Sequence, residues 1–330
     1  MTGGAEINLR GRPAAGDVGR VLILNTLAPV FLLIAIGVVL QSSQFVSPGF
    51  LREANRVTYW LGLPALLFSQ LAGSFHTAGA AQTMLLAMLV ATLVVMAVGF
   101  GVARALRLPG PGIGTFVQGA FRGNLAFVGL PIVYAMPDVE LPGGVSLRAA
   151  ASVVVAPMMV FYNTGGIVVL LLSRHKLGWR MLVPFVKQLV SSPPLVATIA
   201  GIGFALMGWK LPQVVDKTFT SLGEMALPLG LLGVGGSLVT VKLGAAWRAP
   251  LSAALVKTLV SPALGWAIAR AWGLQGIEVK TLMIFMATPT AVVSYTVAVE
   301  LQGDEGLAAG TIVLSTLLSL VSLIVIVGLF

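Results

Sequence analysis

The sequence predicts an all-α integral membrane protein of ten transmembrane helices, arranged as two five-helix repeats of opposite orientation. Composition, the length of the apolar stretches and an internal repeat support this fold class. Of the 330 residues, 57% are hydrophobic and 9% are charged, and the mean hydropathy is +0.99. A soluble domain carries roughly 25% charged residues because its surface meets water. With so few charges, we expect most of the surface to face the lipid bilayer.

Composition also excludes several classes of function. The net charge is +9, but the basic residues fall mostly at the ends of apolar stretches, as Arg104 and Arg107 do. This distribution is typical of membrane-flanking charge and not of a nucleic-acid-binding face. The chain has no cysteine, and His76 and His175 lie far apart. We therefore expect no nucleic-acid partner, no metal site and no cofactor.

Ten apolar stretches are long enough to cross a membrane, since a bilayer core of about 30 Å requires roughly 20 helical residues. Turn-forming or charged residues separate them, for example Pro137 and Asp138. Residues 1–20, rich in arginine, glycine and proline, are predicted to form a mobile N-terminal tail. The stretches lie near residues 22–40, 51–72, 80–103, 113–136, 147–172, 182–208, 215–240, 246–271, 279–301 and 306–329.

An internal repeat relates the two halves of the chain. A shift of 164 positions superimposes four small or turn-forming residues on identical ones, namely Pro29 on Pro193, Gly37 on Gly201, Pro48 on Pro212 and Pro64 on Pro228. A weaker match at 158 positions superimposes Phe127 and Pro131 on Phe285 and Pro289. Because five is an odd number, the second repeat must enter the membrane from the opposite side, as in many secondary transporters. We assign residues 21–178 to the first repeat and 179–330 to the second.

The distribution of lysine and arginine predicts the orientation. The loops after odd-numbered helices carry ten such residues: Arg52, Arg56, Arg104, Arg107, Arg174, Lys176, Arg180, Lys187, Lys242 and Arg248. The other side carries five, or eight when the N-terminal tail is included: Arg148, Lys210, Lys217, Arg270 and Lys280, with Arg10, Arg12 and Arg20. Cytoplasmic loops are enriched in these residues. We therefore expect a protein of the cell membrane with both termini outside the cytoplasm.

Predicted helices four and nine contain prolines beside polar residues. Helix four carries Arg122, Asn124 and Pro131, and helix nine carries the run Thr288 to Thr290 around Pro289. Proline removes a backbone donor and clashes with the preceding turn, so we expect each helix to break near its proline. Two interpretations are open. The breaks are ordinary kinks, or they meet near the midplane and hold an ion or a polar substrate, which the polar neighbours favour.

Arg122, Glu224 and Lys257 place charges well inside predicted helices. A charge at the bilayer centre costs roughly 2.5–3.5 kcal/mol on insertion scales, so each is a candidate for gating or coupling. Arg122 either contacts the substrate or extends its side chain to the membrane interface. Glu224 either exchanges a coupling proton or forms an ion pair with Lys257, and polar neighbours such as Asn55 are further candidate partners.

Four stretches resemble the auxin efflux carrier family, which includes plant auxin exporters and bacterial malate and malonate permeases. They are Leu63 to Phe68, Asn124 to Pro131, Leu227 to Leu238 and Pro289 to Tyr295. The resemblance runs from about residue 22 to the C-terminus. The residues after Pro289 are closer to those of bacterial members than to those of plant members.

The resemblance implies a fold like that of the bile-acid symporters. Helices one, two, six and seven would form a scaffold, and helices three to five and eight to ten a transport domain that moves as an elevator. Broken helices four and nine would cross in the transport domain and bind a small organic anion, such as malate, malonate or an auxin-like acid. The implied substrate-binding residues are Asn124, Gly129, Leu130, Pro131, Tyr162, Asn163, Thr288, Pro289, Thr290 and Ser294.

An anion is also expected on physical grounds, because the N-terminus of each half-helix carries about half a positive charge. Coupling to H⁺ or Na⁺ and a homodimer through the scaffold helices are further expectations of the resemblance. Other classes of function stay open, namely a channel, an intramembrane enzyme and a sensor. A channel would present rings of charge or carbonyls in a pore, and an intramembrane enzyme would need a nucleophile with a base, or paired carboxylates.

Overall fold

The computed structural model describes residues 15–72, 79–141, 144–173, 193–240 and 247–329, and these ranges are almost entirely helical. The predicted repeat boundary at residues 178 and 179, the basic loop around 174–187, His76, His175 and residues 1–14 of the predicted tail lie outside the described ranges. A short hairpin of β1 (Glu140–Leu141) and β2 (Val145–Ser146) precedes one helix. The helices are α1 (Ala15–Ser42), α2 (Pro48–Val57), α3 (Leu63–Ala72), α4 (Gly79–Ala105), α5 (Gly110–Phe121), α6 (Leu130–Ala135), α7 (Leu147–Leu172), α8 (Pro193–Leu206), α9 (Gln213–Thr240), α10 (Arg248–Leu255), α11 (Ser261–Ala271), α12 (Gly276–Ala287), α13 (Val293–Glu300) and α14 (Glu305–Leu329).

Every apolar stretch predicted from the sequence contains helix where it is described. Within the described ranges, four helices are long and apolar enough to cross a membrane by themselves: Ala81–Ala105, Leu147–Leu172, Arg248–Ala271 and Glu305–Leu329. Ala28–Ser42 and Leu125–Ala135 form shorter apolar helices. The protein is therefore an all-α membrane protein, whereas the count of ten crossings stays a prediction. Residues 15–20, assigned to the tail from the sequence, belong to α1, because the helix continues N-terminally beyond its apolar part.

Three prolines follow π-helical turns in the described ranges. The turns span Thr58–Gly62, Leu125–Gly129 and Val256–Val260, and each leads into a helix with proline at its second residue. In each turn the amide before the proline bonds to the carbonyl five residues earlier: Leu63 to Thr58, Leu130 to Leu125 and Ser261 to Val256. Proline has no amide hydrogen to donate, and the wider turn accommodates it without ending the helix. Pro29, Pro157 and Pro228 lie inside α-helices without such a turn.

The helices pack in two groups. Helix α1 runs along α9, while α3 packs on α8 and α9. At the first contact, Gly235 lies so close to the backbone of Ile34 that no side chain would fit. In the second group, α4 packs on α5, α7 and α11, and α14 packs on α10. The most buried side chains concentrate in this second group, around α5, α7 and α12.

Candidate functional site

Two extended segments cross at the centre of the second group. Helix α5 ends at Phe121 and helix α12 ends at Ala287, and each chain continues for a few residues without helical structure. Gly123 and Thr290 form an antiparallel bridge there. The amide of Asn124 donates to the Pro289 carbonyl at 2.8 Å, and the amide of Ala291 donates to the Arg122 carbonyl at 2.9 Å. We call residues 122–124 and 289–291 the crossover.

These bonds satisfy backbone groups that the interrupted helices leave without partners. In hydrocarbon an unpaired amide or carbonyl costs several kcal/mol, so irregular backbone persists only where protein or a polar cavity provides partners. Gly123 is required sterically, since a methyl group there would collide with the Thr288 hydroxyl and lie 3.3 Å from Nζ of Lys257. The two interrupted helices thus meet and are not two separate kinks, whereas the binding of an ion or a polar substrate there stays a prediction.

The break in predicted helix four was expected near Pro131, and this expectation was wrong. The helix is interrupted at residues 122–124, and Pro131 lies in the first turn of α6. The π-helical turn Leu125–Gly129 accommodates the proline, whereas the bridge to Thr290 holds residues 122–124 extended. In predicted helix nine, Pro289 itself lies in the break, as expected.

Asn124 has two structural functions at the crossover. Its amide pairs with Pro289, and its side-chain oxygen accepts a hydrogen bond from the amide of Phe127 at 3.2 Å. It therefore caps the eleven-residue helical segment Leu125–Ala135. Gly129 in this segment, also predicted from the sequence, lies against the ring of Phe285 and the methyl group of Thr288. Its buried neighbours Leu130 and Pro131 begin α6.

The threonines beside Pro289 orient the second extended segment. The Thr290 hydroxyl donates to the Gly119 carbonyl at 2.7 Å, and the Thr290 amide donates to Oγ of Ser315 at 2.9 Å. The Thr288 hydroxyl donates to the Phe285 carbonyl at the end of α12. Ser294 is buried, and its hydroxyl has no partner among the described residues.

Arg122 extends from the crossover towards α7. The side chain is 3% exposed, and its Nη2 donates to the side-chain oxygen of Asn163. The interface-reaching interpretation of this arginine is therefore excluded. Tyr162, the neighbour of Asn163, is also buried, with its ring against Phe121 at 5.6 Å between centroids and its hydroxyl 3.5 Å from that of Thr92.

Lys257 also reaches the crossover, where its Nζ would lie 3.3 Å from a methyl group at Gly123. Its side chain is fully buried, and its ammonium group donates to the Met286 carbonyl in the last turn of α12. Carbonyls at a helix C-terminus carry partial negative charge and favour a cation. The crossover therefore has a buried guanidinium group beside it and a buried ammonium group beneath Gly123.

The predicted ion pair between Glu224 and Lys257 is not present. Glu224 is exposed on α9, whereas Lys257 is buried and bonded to Met286. Among the described residues, the one ion pair joins Arg56 and Glu53 at 3.7 Å on the exposed face of α2. Asn55 lies on the same helix, but its side chain lies outside what the structure describes. Thr220 and Ser221 lie four and three positions before Glu224, and this polar face was a signal in the sequence for an outward-facing glutamate.

Two residues of the site were not predicted from the sequence. Gln118 lies one helical turn before Arg122, and Ser315 accepts the hydrogen bond from Thr290. A glutamine inside an apolar stretch, four positions from an arginine, was an available signal. For Ser315 the signal was the recurrence of hydroxyl residues on α14, at positions 311, 315, 319 and 322. The described residues contain no group of three His, Asp or Glu side chains that could hold a metal ion.

The sequence matches the family described as membrane transport protein over residues 22–173 and 167–327. The chain belongs to this family. It is the family of the auxin efflux carriers, so the resemblance inferred from the four motifs is confirmed. The members of this family are transporters and not enzymes, and the chain is a multi-pass membrane protein.

Two archaeal proteins that are similar to this chain are named as transporters. An uncharacterized transporter of Methanocaldococcus jannaschii is 24% identical over 217 residues, which cover 63% of this chain and 65% of the relative. An uncharacterized transporter of Methanothermobacter thermautotrophicus is 30% identical over 173 residues, which cover 50% of this chain and 55% of the relative. The chain therefore aligns with somewhat more than half of each of these membrane transport proteins.

Proposed function

We propose that this protein is a secondary transporter of a small organic anion, which binds as a carboxylate at the crossover. The observation that carries the proposal is an imbalance of buried charge. Among the described residues, the buried charged side chains are Arg122, Lys257 and Lys280, all cationic, and no aspartate or glutamate is buried. Two of these cations flank the crossover.

Buried like charges without a counter-ion are unfavourable, because the low dielectric of the interior strengthens repulsion and removes hydration. Arg122 and Lys257 are bonded to an amide oxygen and a backbone carbonyl, which are polar but carry no net charge. An anion would supply the missing negative charge. The helical segments that begin after each extended strand would direct their first amides at the same ligand.

The proposal includes movement of the second helix group against the first. Helices α1 to α3, α8 and α9 would form the fixed scaffold, and the remaining helices the transport domain with the crossover. Phe127 supports this division, because its ring occupies the notch at Gly230 on α9, where a methyl group would collide with it. This contact would stabilise one conformation of the transporter until the transport domain slides along the scaffold. Coupling to H⁺ or Na⁺, a homodimer through the scaffold and location in the cell membrane belong to the same proposal.

The test is binding of mono- and dicarboxylates to purified protein, measured by thermal shift and by isothermal titration calorimetry. In Asn124→Asp the side chain still accepts the Phe127 amide, but it adds a negative charge at the crossover. We expect this variant to stay folded and to lose at least about tenfold in carboxylate affinity, equivalent to roughly 1.4 kcal/mol.

Ser146→Asp is the matched control, since Ser146 caps α7 by accepting the Ala149 amide at 3.2 Å and aspartate is also a good cap. We expect it to add a negative charge outside the crossover and to keep carboxylate affinity. Unchanged affinity in Asn124→Asp would exclude the crossover as the anion site.

A further inference from the structure

Gln118 and Arg122 present unpaired polar atoms on one face of α5. Gln118 is 1% exposed, and neither atom of its side-chain amide has a hydrogen-bond partner among the described residues. Arg122 follows four positions later, so the two side chains project from neighbouring positions on the helix surface. Its Nη2 is bonded to Asn163, but its Nη1 is also buried and unpaired in the described part of the chain.

Gly166 on α7 brings these atoms together. A methyl group at Gly166 would lie 2.8 Å from Nε2 of Gln118 and 3.4 Å from Nη1 of Arg122. Both nitrogens therefore lie against the same point on α7, where glycine leaves room for the two side chains and a larger residue would collide with Gln118. The side chain of Arg122 connects this point to the crossover, because the backbone of Arg122 belongs to it.

Buried polar atoms nearly always have partners, and an exception indicates a ligand or a water at that place. The hydrogen-bonding character of the three unpaired atoms indicates which ligand groups could pair with them. Nη1 of Arg122 and Nε2 of Gln118 donate, and the first carries a positive charge, whereas Oε1 of Gln118 accepts. A carboxylate would satisfy both donors but not Oε1, which requires a group that carries a proton.

We propose that Gln118 and Arg122 form a subsite that selects hydroxycarboxylates over carboxylates without the hydroxyl group. The carboxylate of the substrate accepts from Arg122 and from Nε2 of Gln118, and its hydroxyl group donates to Oε1. The inference rests on the proposed anion transport and adds the chemical class of the anion. A water molecule alone would satisfy the hydrogen bonds but would leave the guanidinium charge without a counter-ion.

Matched ligand pairs test the inference: L-lactate against propionate, and L-malate against succinate, titrated calorimetrically into the purified full-length protein. In the wild type we expect the hydroxy acid of each pair to bind about ten- to hundredfold more tightly, the equivalent of one lost hydrogen bond to a buried group. Gln118→Met keeps the length of the side chain and removes the amide. In this variant we expect the two members of each pair to bind almost equally.

Gln41→Met is the matched control, because Gln41 is a buried glutamine on α1, outside the crossover. It should keep the wild-type preference. Gln118→Glu places a carboxylate within reach of Arg122. We expect this carboxylate to compete with the ligand for Arg122 and to weaken the binding of both members of each pair. This second variant keeps the test decisive if Gln118→Met fails to fold.

Four results would overturn the inference. Equal binding of both pair members by the wild type would remove the hydroxyl selectivity and leave the anion proposal intact. A preference retained in Gln118→Met, or undiminished binding by Gln118→Glu, would mean that the side chain of Gln118 does not contact the substrate. Binding of no carboxylate at all by the wild type would contradict the proposed function itself, and this inference with it.

Discussion

At the scale of single residues, Arg122 and Lys257 are the two buried cations of the crossover. The sequence predicts their positions, and the structure shows their partners. Both were recognisable as charges inside apolar stretches. Their partners were not, because Asn163 lies 41 positions from Arg122 and Met286 lies 29 positions from Lys257. Hydropathy describes a local stretch of chain and contains no information on which helix packs against which.

Lys257 leads to the prediction at this scale. In Lys257→Met we expect carboxylate affinity to fall at least about tenfold, since the variant removes one of two buried charges that an anion would neutralise. The Met286 carbonyl also loses its donor, which we expect to lower the free energy of unfolding by about 1–3 kcal/mol. Calorimetric titration and thermal unfolding measure the two effects.

Lys280→Met provides the comparison. Lys280 is also a buried lysine that donates to a backbone carbonyl, that of Val327 at 3.0 Å near the end of α14, but it lies outside the crossover. It should lose stability and keep carboxylate affinity. Equal losses of affinity in both variants would mean that Lys257 acts through stability alone.

At the scale of secondary structure, proline has different consequences at different places in this chain. It follows a π-helical turn at Pro64, Pro131 and Pro262, and it lies in a complete break only at Pro289 among the described residues. The break at Gly123 contains no proline. The bridge to the other helix therefore decides where helix four is interrupted, and proline alone does not.

The π-helical turn Val256–Val260 contains Lys257, which allows a prediction for this element. Pro262→Ala supplies the missing donor and permits a regular helix. Loss of the extra residue in the turn would rotate Lys257 by about 100° around the helix axis. We therefore expect weaker carboxylate binding with unchanged helical content, measured by titration and circular dichroism.

Pro64→Ala is the control, because Pro64 follows an equivalent turn between α2 and α3 that contains no crossover residue. It should bind carboxylates as the wild type does. If Pro262→Ala bound them equally well, the turn would not be what orients Lys257.

At the scale of the whole molecule, the orientation in the membrane can be tested with introduced cysteines. The chain contains no cysteine, so each introduced thiol would be the one site of labelling. Leu106 follows predicted helix three and Val139 follows predicted helix four, and they are 41% and 39% exposed. With both termini outside, Leu106→Cys faces the cytoplasm and Val139→Cys faces outward. We expect a membrane-impermeant maleimide to label only Val139→Cys in intact cells.

Permeabilised cells supply the control, since both cysteines should then react. Labelling of Leu106→Cys alone in intact cells would reverse the orientation derived from the lysine and arginine counts. Such a reversal would leave the crossover and its charges unaffected.

The sequence by itself determined the class of this protein, the position of its helices and the family to which it belongs. These follow from hydropathy, proline and short motifs, all of which are local properties of the chain. It also identified both broken helices and most residues of the crossover, because polar residues in apolar stretches are conspicuous.

Only the tertiary structure decided which of these residues meet. It located the break at Gly123 instead of Pro131, joined Arg122 to Asn163, excluded Glu224 from the site and added Gln118. The physical reason is common to all four. Each depends on a contact between helices distant in sequence, where a backbone bridge, a hydrogen bond or a glycine notch outweighs the local preference of the chain.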